Sequence, residues 1–188
     1  VCSACHSIKQ VSFRDLRALG YNEAEVKAIA AKVTVSAKDP LTGEIKDRPA
    51  LPNDHFPAVT YAGKGNPPDL SLITKARHGG GAYVHSLLTG YTTPPADLPK
   101  ENHPGEGLFY NPYFANLNLS MPAPLVSEGQ VSYSDGTKAS VDQMAQDVAA
   151  FLVWTAEPEL EQRHQTGLWW MGFLLFATVL AYMSYRNI

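Results

Sequence analysis

Cys2-Ser3-Ala4-Cys5-His6 places two thiols three residues apart and an imidazole directly after the second. On one helical turn, thiols so spaced reach both vinyl groups of a porphyrin as thioethers, and the adjoining imidazole turns onto the iron as an axial ligand. C-x-x-C-H therefore reads as a covalent attachment site for one haem c, held by Cys2, Cys5 and His6. Two other chemistries use paired cysteines. A thioredoxin-like redox pair needs a βαβ context, which a chain of helices and Pro-rich loops does not offer. A four-cysteine zinc site needs a second pair, and the chain has only two cysteines. The remaining histidines, at 55, 78, 85, 103 and 164, have no paired ligand spacing.

Iron held by His6 either takes a sixth ligand or keeps an open position. Of the four methionines, Met171 and Met183 fall in a long apolar run near the C-terminus, and Met144 lies on the apolar face of a helix. Met121 differs, because it stands in the loop Leu119-Ser120-Met121-Pro122-Ala123-Pro124-Leu125, where prolines on its far side limit the directions of its thioether. Methionine–histidine ligation raises the reduction potential and closes the sixth position, which suits outer-sphere electron transfer. The alternatives are a Met121 that is only a surface loop residue, or His78 or His103 in its place.

Those residues need elements to hold them. Asn22, with Glu25 three residues on, predicts a capped helix whose stripe is Val26, Ile29, Ala30 and Val33. Residues 40–68 contain six prolines and read mostly as loop. Asp69 predicts the cap of a short helix through Leu72, Ile73 and Ala76, stopped by Gly79-Gly80-Gly81. Tyr83, Val84, Leu87 and Leu88 carry a helical period to Gly90. Residues 92–128 read as loop again. Val131 and Tyr133 before Asp135-Gly136 predict a small hairpin. Ser140 caps a further helix along Val141, Met144, Ala145, Val148, Phe151, Leu152 and Thr155, ended by Pro158.

From Gly167 to Tyr185, nineteen residues pass without a charge, enough to span a bilayer as a helix rising about 1.5 Å per residue. Trp169 and Trp170 near one end, and Tyr182 and Tyr185 near the other, sit as interfacial aromatics do. Arg186 follows, which predicts a cytoplasmic C-terminus and a body on the opposite side. The 188 residues carry 15 basic and 18 acidic side chains, so general affinity for nucleic acid is not expected. The charge is uneven: residues 97–162 hold Lys100 and Lys138 against ten acids. Such a region is either a solvated face or a field that attracts a basic partner.

The haem motif, PPDLS at 67–71, RHGGGAYVHSLLTGY at 77–91, NPYF at 111–114, MPAPL at 121–125 and DVAAFLVWTAEPE at 147–159 together resemble the cytochrome c1 family. The likeness covers nearly the whole chain, with the membrane anchor in the expected place. It implies a mostly α fold: a class I cytochrome c-like haem domain with long Pro-rich loops and a small β hairpin at 1–162, and one C-terminal transmembrane helix at 163–188. Family members carry a substantial segment before the haem motif, so a preceding part is expected beyond Val1. Two departures are visible, at Ala62-Gly63-Lys64-Gly65-Asn66 and at Ala82, where an acidic residue often stands.

The resemblance also implies roles. Cys2 and Cys5 would bind the haem, with His6 and Met121 as axial ligands of the iron. Pro68 matches the proline whose carbonyl accepts the proximal imidazole N–H. Arg77 and Tyr83 match positions near a propionate and the haem edge, where a buried Arg would compensate the acid's charge. The implied protein is the electron-transfer subunit of the cytochrome bc1 complex. It takes electrons from the Rieske iron–sulfur protein and gives them to a soluble or tethered cytochrome c, beside cytochrome b in a dimeric complex. The quinone chemistry would belong to cytochrome b and the Rieske subunit. Thioether attachment occurs outside the cytoplasm, so the haem domain would face the periplasm or intermembrane space of an energy-transducing membrane. Two other readings fit the haem motif: a stand-alone anchored carrier feeding an oxidase, and a tethered haem sensor with an open sixth site.

Overall fold

Asn22 begins the first α-helix through a reciprocal cap: its Oδ1 accepts the Glu25 N–H at 3.0 Å, and the Glu25 carboxylate accepts the Asn22 N–H at 2.8 Å. This helix, α1, is Glu23–Ala31. The computed structural model describes residues 1–39, 41–63 and 65–187; Pro40, Lys64 and Ile188, which fall in the expected 40–68 loop and at the end of the expected anchor, lie outside the described residues. The chain forms two compact units, Val1–Ala156 and Glu157–Ile188.

The first unit is mostly helical. A 3₁₀ turn at Cys2–Ala4 opens it, and a longer one at Phe13–Leu19 precedes α1. Strands β1 (Thr34–Lys38) and β2 (Ile45–Pro49) form an antiparallel hairpin with Thr34 opposite Pro49 and Lys38 opposite Ile45. Helix α2 is Gly80–Thr89. Two-residue strands β3 (Phe109–Tyr110) and β4 (Asn118–Leu119) pair within the second Pro-rich stretch, and α3 runs Val141–Ala156. Ser140 caps α3 as expected, its Oγ accepting the Gln143 N–H at 3.1 Å.

Two apolar clusters hold this unit. In the first, Phe13, Leu16, Val26, Ala30 and Ala50 pack with Phe56 and Trp154, and the Phe13 and Phe56 rings meet at 4.2 Å. In the second, Val84 and Leu88 of α2 meet Ala145, Ala149 and Leu152 of α3, with Phe151 and Tyr83 beside them. Small residues let α2 and α3 come close: a Cβ on Gly81 would stand 2.9 Å from Val153 Cγ2. Thr74 ties the preceding turn to the same helix, its hydroxyl donating to the Leu152 carbonyl at 3.2 Å.

Three expectations are corrected, and one further element stands where none is expected. The small hairpin is β1–β2, whose second strand lies inside the stretch read as loop, and residues 131–136 form only a turn. The helix expected after Asp69 is a run of turns: Asp69 accepts the Ser71 N–H at 3.0 Å, but the segment is also tied to distant chain, Asp69 accepting the Lys9 N–H at 2.9 Å and Ser71 Oγ the Gln10 N–H at 3.1 Å. The glycines expected as a stop instead start α2, with Gly79 at φ 86° and Gly80 at φ 53°, a left-handed entry that favours glycine. Phe13–Leu19, for which no element is expected, is a 3₁₀ segment whose start is fixed by the Asp15 carboxylate on the Ser12 N–H at 2.8 Å.

The second unit is one helix, α4, Leu160–Arg186, 27 residues and ~40 Å long. Among the described residues it is the one helix long and apolar enough to cross a membrane, and none of its side chains is buried. Thr178 donates to the Leu174 carbonyl at 2.7 Å, so its hydroxyl is satisfied within the helix. Near its start Arg163 pairs with Glu157.

Candidate haem site

The turn at Cys2–Ala4 is closed by the Cys2 carbonyl, which accepts the Cys5 N–H at 3.1 Å and the His6 N–H at 3.0 Å. Both thiols are free and half-buried. The His6 ring is oriented from 62 residues away: its Nδ1 lies 2.8 Å from the Pro68 carbonyl oxygen. A carbonyl only accepts, so Nδ1 carries the proton and the lone pair resides on Nε2. That tautomer is the one in which an imidazole binds metal through Nε2.

The Pro67-Pro68-Asp69-Leu70-Ser71 segment is fastened beside the turn by three further bonds. Leu70 N–H donates to the Ser7 carbonyl at 2.8 Å, Lys9 N–H to Asp69, and Gln10 N–H to Ser71 Oγ. Burial of the Asp69 carboxyl opposes its ionisation, but hydrogen bonds from the Ser71 hydroxyl and the Lys9 and Ser71 N–H groups, with the Lys9 charge, outweigh it and hold the group below its usual range.

A cleft of about 320 Å³ opens beside Val1 and Cys2. Leu88, Pro124, Leu125, Val131, Met144, Val148 and Phe151 line it, with Tyr133 and Asp147 as its polar members. The Tyr133 hydroxyl donates to Asp147, and this hydrogen bond, with burial and the Asp147 charge, raises the phenol's pKa. Met121 is half-buried just before Pro124 and Leu125, and its carbonyl accepts the Tyr91 hydroxyl at 3.0 Å. Tyr91 and Tyr83 are electrostatic neighbours; burial first, then Tyr83, pushes the Tyr91 pKa up to about 12. His6 and Pro68 are thus in direct contact, and Tyr91 links Met121 to the neighbourhood of Tyr83. Arg77 is exposed rather than buried, in the turns before α2, where its Nη1 donates to the Ala76 carbonyl at 3.0 Å. His78 and His103 are exposed, and His103 Nε2 donates to the Leu98 carbonyl at 3.1 Å.

Sequence reasoning missed Asn111 and Tyr91. Asn111 is fully buried; its Nδ2 donates to the Leu87 carbonyl at 2.7 Å and its Oδ1 accepts the Tyr113 N–H at 3.0 Å, which fixes the loop ahead of Met121 on the end of α2. Both lie within motifs that carry the family likeness, but neither has a ligand's chemistry to draw notice.

The donor set fits haem c and not a bare ion. Among the described residues no three His, Cys, Asp or Glu side chains converge to hold a metal, whereas two free thiols and an imidazole with a free Nε2 follow one another at Cys2–His6, and Cys2 lines an apolar cleft. Proteins that combine this attachment turn with a mostly helical domain form one class, the c-type cytochromes. Within that class, the chain belongs to the Cytochrome C1 family, which matches residues 1–188. It is 44% identical over 196 residues to cytochrome c1-2, a mitochondrial heme protein of Solanum tuberosum, covering all of this chain and 73% of that protein. Cytochrome c1 of Rhodospirillum rubrum is 41% identical over 97% of this chain and 73% of its own length. A mitochondrial protein of Candida albicans named cytochrome b-c1 complex catalytic subunit is 41% identical over 89% of this chain, which spans 60% of it.

Proposed function

We propose that this chain is the haem-carrying electron-transfer subunit of a cytochrome bc1 complex, accepting one electron from the Rieske iron–sulfur protein and passing it to a soluble or tethered c-type cytochrome. The observation that carries the reading is the Nδ1–H of His6 held by the Pro68 carbonyl, which leaves Nε2 as a metal donor on a C-x-x-C-H turn. Haem c bound there supplies the one-electron couple.

Cys2 and Cys5 would attach the group, His6 and Met121 would bind its iron, and Pro68 would set the imidazole's angle and basicity. Arg77 would stand near a propionate and Tyr83 near the haem edge. Met121 is favoured over its rivals because it is half-buried with a held backbone, whereas His78 and His103 are exposed. The exposed carboxylates of Asp97, Glu101, Glu106 and Glu128 supply a field suited to a basic electron acceptor.

Residues 1–162 form the haem domain and 163–188 the anchor, with Arg186 on the cytoplasmic side and the haem domain in the periplasm or intermembrane space. Cytochrome b and the Rieske protein complete the assembly, as a dimer.

Purification of the holoprotein in mild detergent tests this reading. Cytochrome b and a Rieske subunit should come through with the chain, and its ferric spectrum should show a methionine–iron charge-transfer band that Met121→Leu abolishes. A haem protein free of both subunits would replace the reading with an anchored carrier. A high-spin spectrum without that band would replace it with a sensor whose sixth site is open.

A further inference from the structure

We infer that Tyr91 is a positioning residue for the methionine side of the site: its phenol fixes the backbone of Met121 and so the direction in which the thioether is presented. The inference rests on the reading of Met121 as the sixth ligand and goes one step beyond it.

The Tyr91 hydroxyl donates to the Met121 carbonyl at 3.0 Å across 30 residues of chain. A ligand's own carbonyl is one bond from its Cα, so whatever holds it limits where the side chain begins. The phenol starts from a rigid base. Tyr91 follows α2 by two residues, after Gly90, where an added Cβ would stand 2.4 Å from the Tyr113 ring and 2.6 Å from the Ser86 carbonyl. The chain is therefore packed tightly as it leaves the helix.

The loop bearing Met121 is fastened on both sides of that contact. Upstream, Asn111 binds the Leu87 carbonyl on the same end of α2. Downstream, the Gln130 side chain donates to the Pro124 carbonyl at 2.8 Å and accepts the Val126 N–H at 3.1 Å. Between these fixed points, the phenol reaches Met121 itself. Losing it frees the residue that a sixth ligand must keep still.

The test uses the full-length holoprotein and imidazole as a competing ligand for ferric haem. Removing one neutral hydrogen bond from the methionine side should let imidazole bind about 3- to 10-fold more tightly in Tyr91→Phe, on its covalently haem-loaded fraction, and should weaken the methionine–iron band. Thr89→Val is the control, because it removes the hydroxyl bond to the His85 carbonyl at 3.0 Å on the same segment without touching Met121. Its imidazole affinity should stay at the parent value. Two results overturn the inference while leaving Met121 as ligand: Tyr91→Phe with parental band and affinity, or Thr89→Val raising the affinity as much as Tyr91→Phe. If the band survives Met121→Leu, the ligand assignment falls, and this inference falls with it.

Discussion

The Nδ1 of His6 donates to the carbonyl oxygen of Pro68 at 2.8 Å, a bond between residues 62 positions apart. Its acceptor is main chain, so no substitution at Pro68 deletes it directly, and its geometry depends on whatever holds residues 67–71 against 6–10. Asp69 is the charged one among those holds.

Asp69→Ala should therefore lower stability on the order of 1–3 kcal/mol, the range for removing a charged acceptor from N–H groups that stay half-covered. Thermal or denaturant unfolding of the holoprotein measures it. A loss within a few tenths of a kcal/mol would mean that the Leu70–Ser7 and Gln10–Ser71 bonds suffice without it.

The same carboxylate sets an acid limit. Its folded pKa lies below the ordinary carboxylate value, so its contribution is fully present above the unfolded pKa of about 3.9 and is lost as pH falls through the folded value. Asp54 behaves alike: the Arg48 guanidinium, bound at 2.6 and 3.0 Å, and the Leu51 N–H hold its pKa down. Stability should be nearly flat with respect to these two groups from pH 5 to 7 and fall below about pH 4. Asp69→Asn should show a shallower acid decline than the parent in pH-dependent melting.

The closeness of α2 and α3 is tested at Gly81. A Cβ there would lie 2.9 Å from Val153 Cγ2, and a β-branched side chain has little freedom to turn away. Gly81→Ala should cost about 1–2 kcal/mol despite the better helix propensity of alanine. Because the contact is pairwise, the cost should shrink when Val153→Ala is added, and a double-mutant cycle reads the coupling.

Asn111 is a buried polar residue whose two bonds replace water. Asn111→Ala leaves the Leu87 carbonyl and the Tyr113 N–H without these partners, and should cost about 2–3 kcal/mol. Melting of the variant checks the magnitude.

Local signals were legible where the structure answers them locally. The Asn22–Glu25 box, the Ser140 cap and the uncharged run in α4 each act within a few residues, and each appears as expected. Expectations failed where distant chain took over local groups. Asp69 looks like a helix starter and does accept the Ser71 N–H, but its carboxylate and the Ser71 hydroxyl also hold Lys9 and Gln10, some 60 residues earlier. The alternation in β1, with Val35 and Ala37 half-buried between exposed Thr34, Ser36 and Lys38, spans only five residues, and β2 is mostly exposed and is held by pairing to β1. In the candidate site, the thiols and His6 announce themselves by spacing. Tyr91 and Asn111 do not, because they position by reaching a carbonyl that only the folded chain brings near.

Intact-mass analysis of the denatured polypeptide tests the central claim most directly. Covalent attachment through Cys2 and Cys5 predicts a mass greater than the bare chain by one haem, with the added mass on the peptide that contains both cysteines. Recovery of the bare amino-acid mass, with any porphyrin extracted into acidic organic solvent, would contradict it.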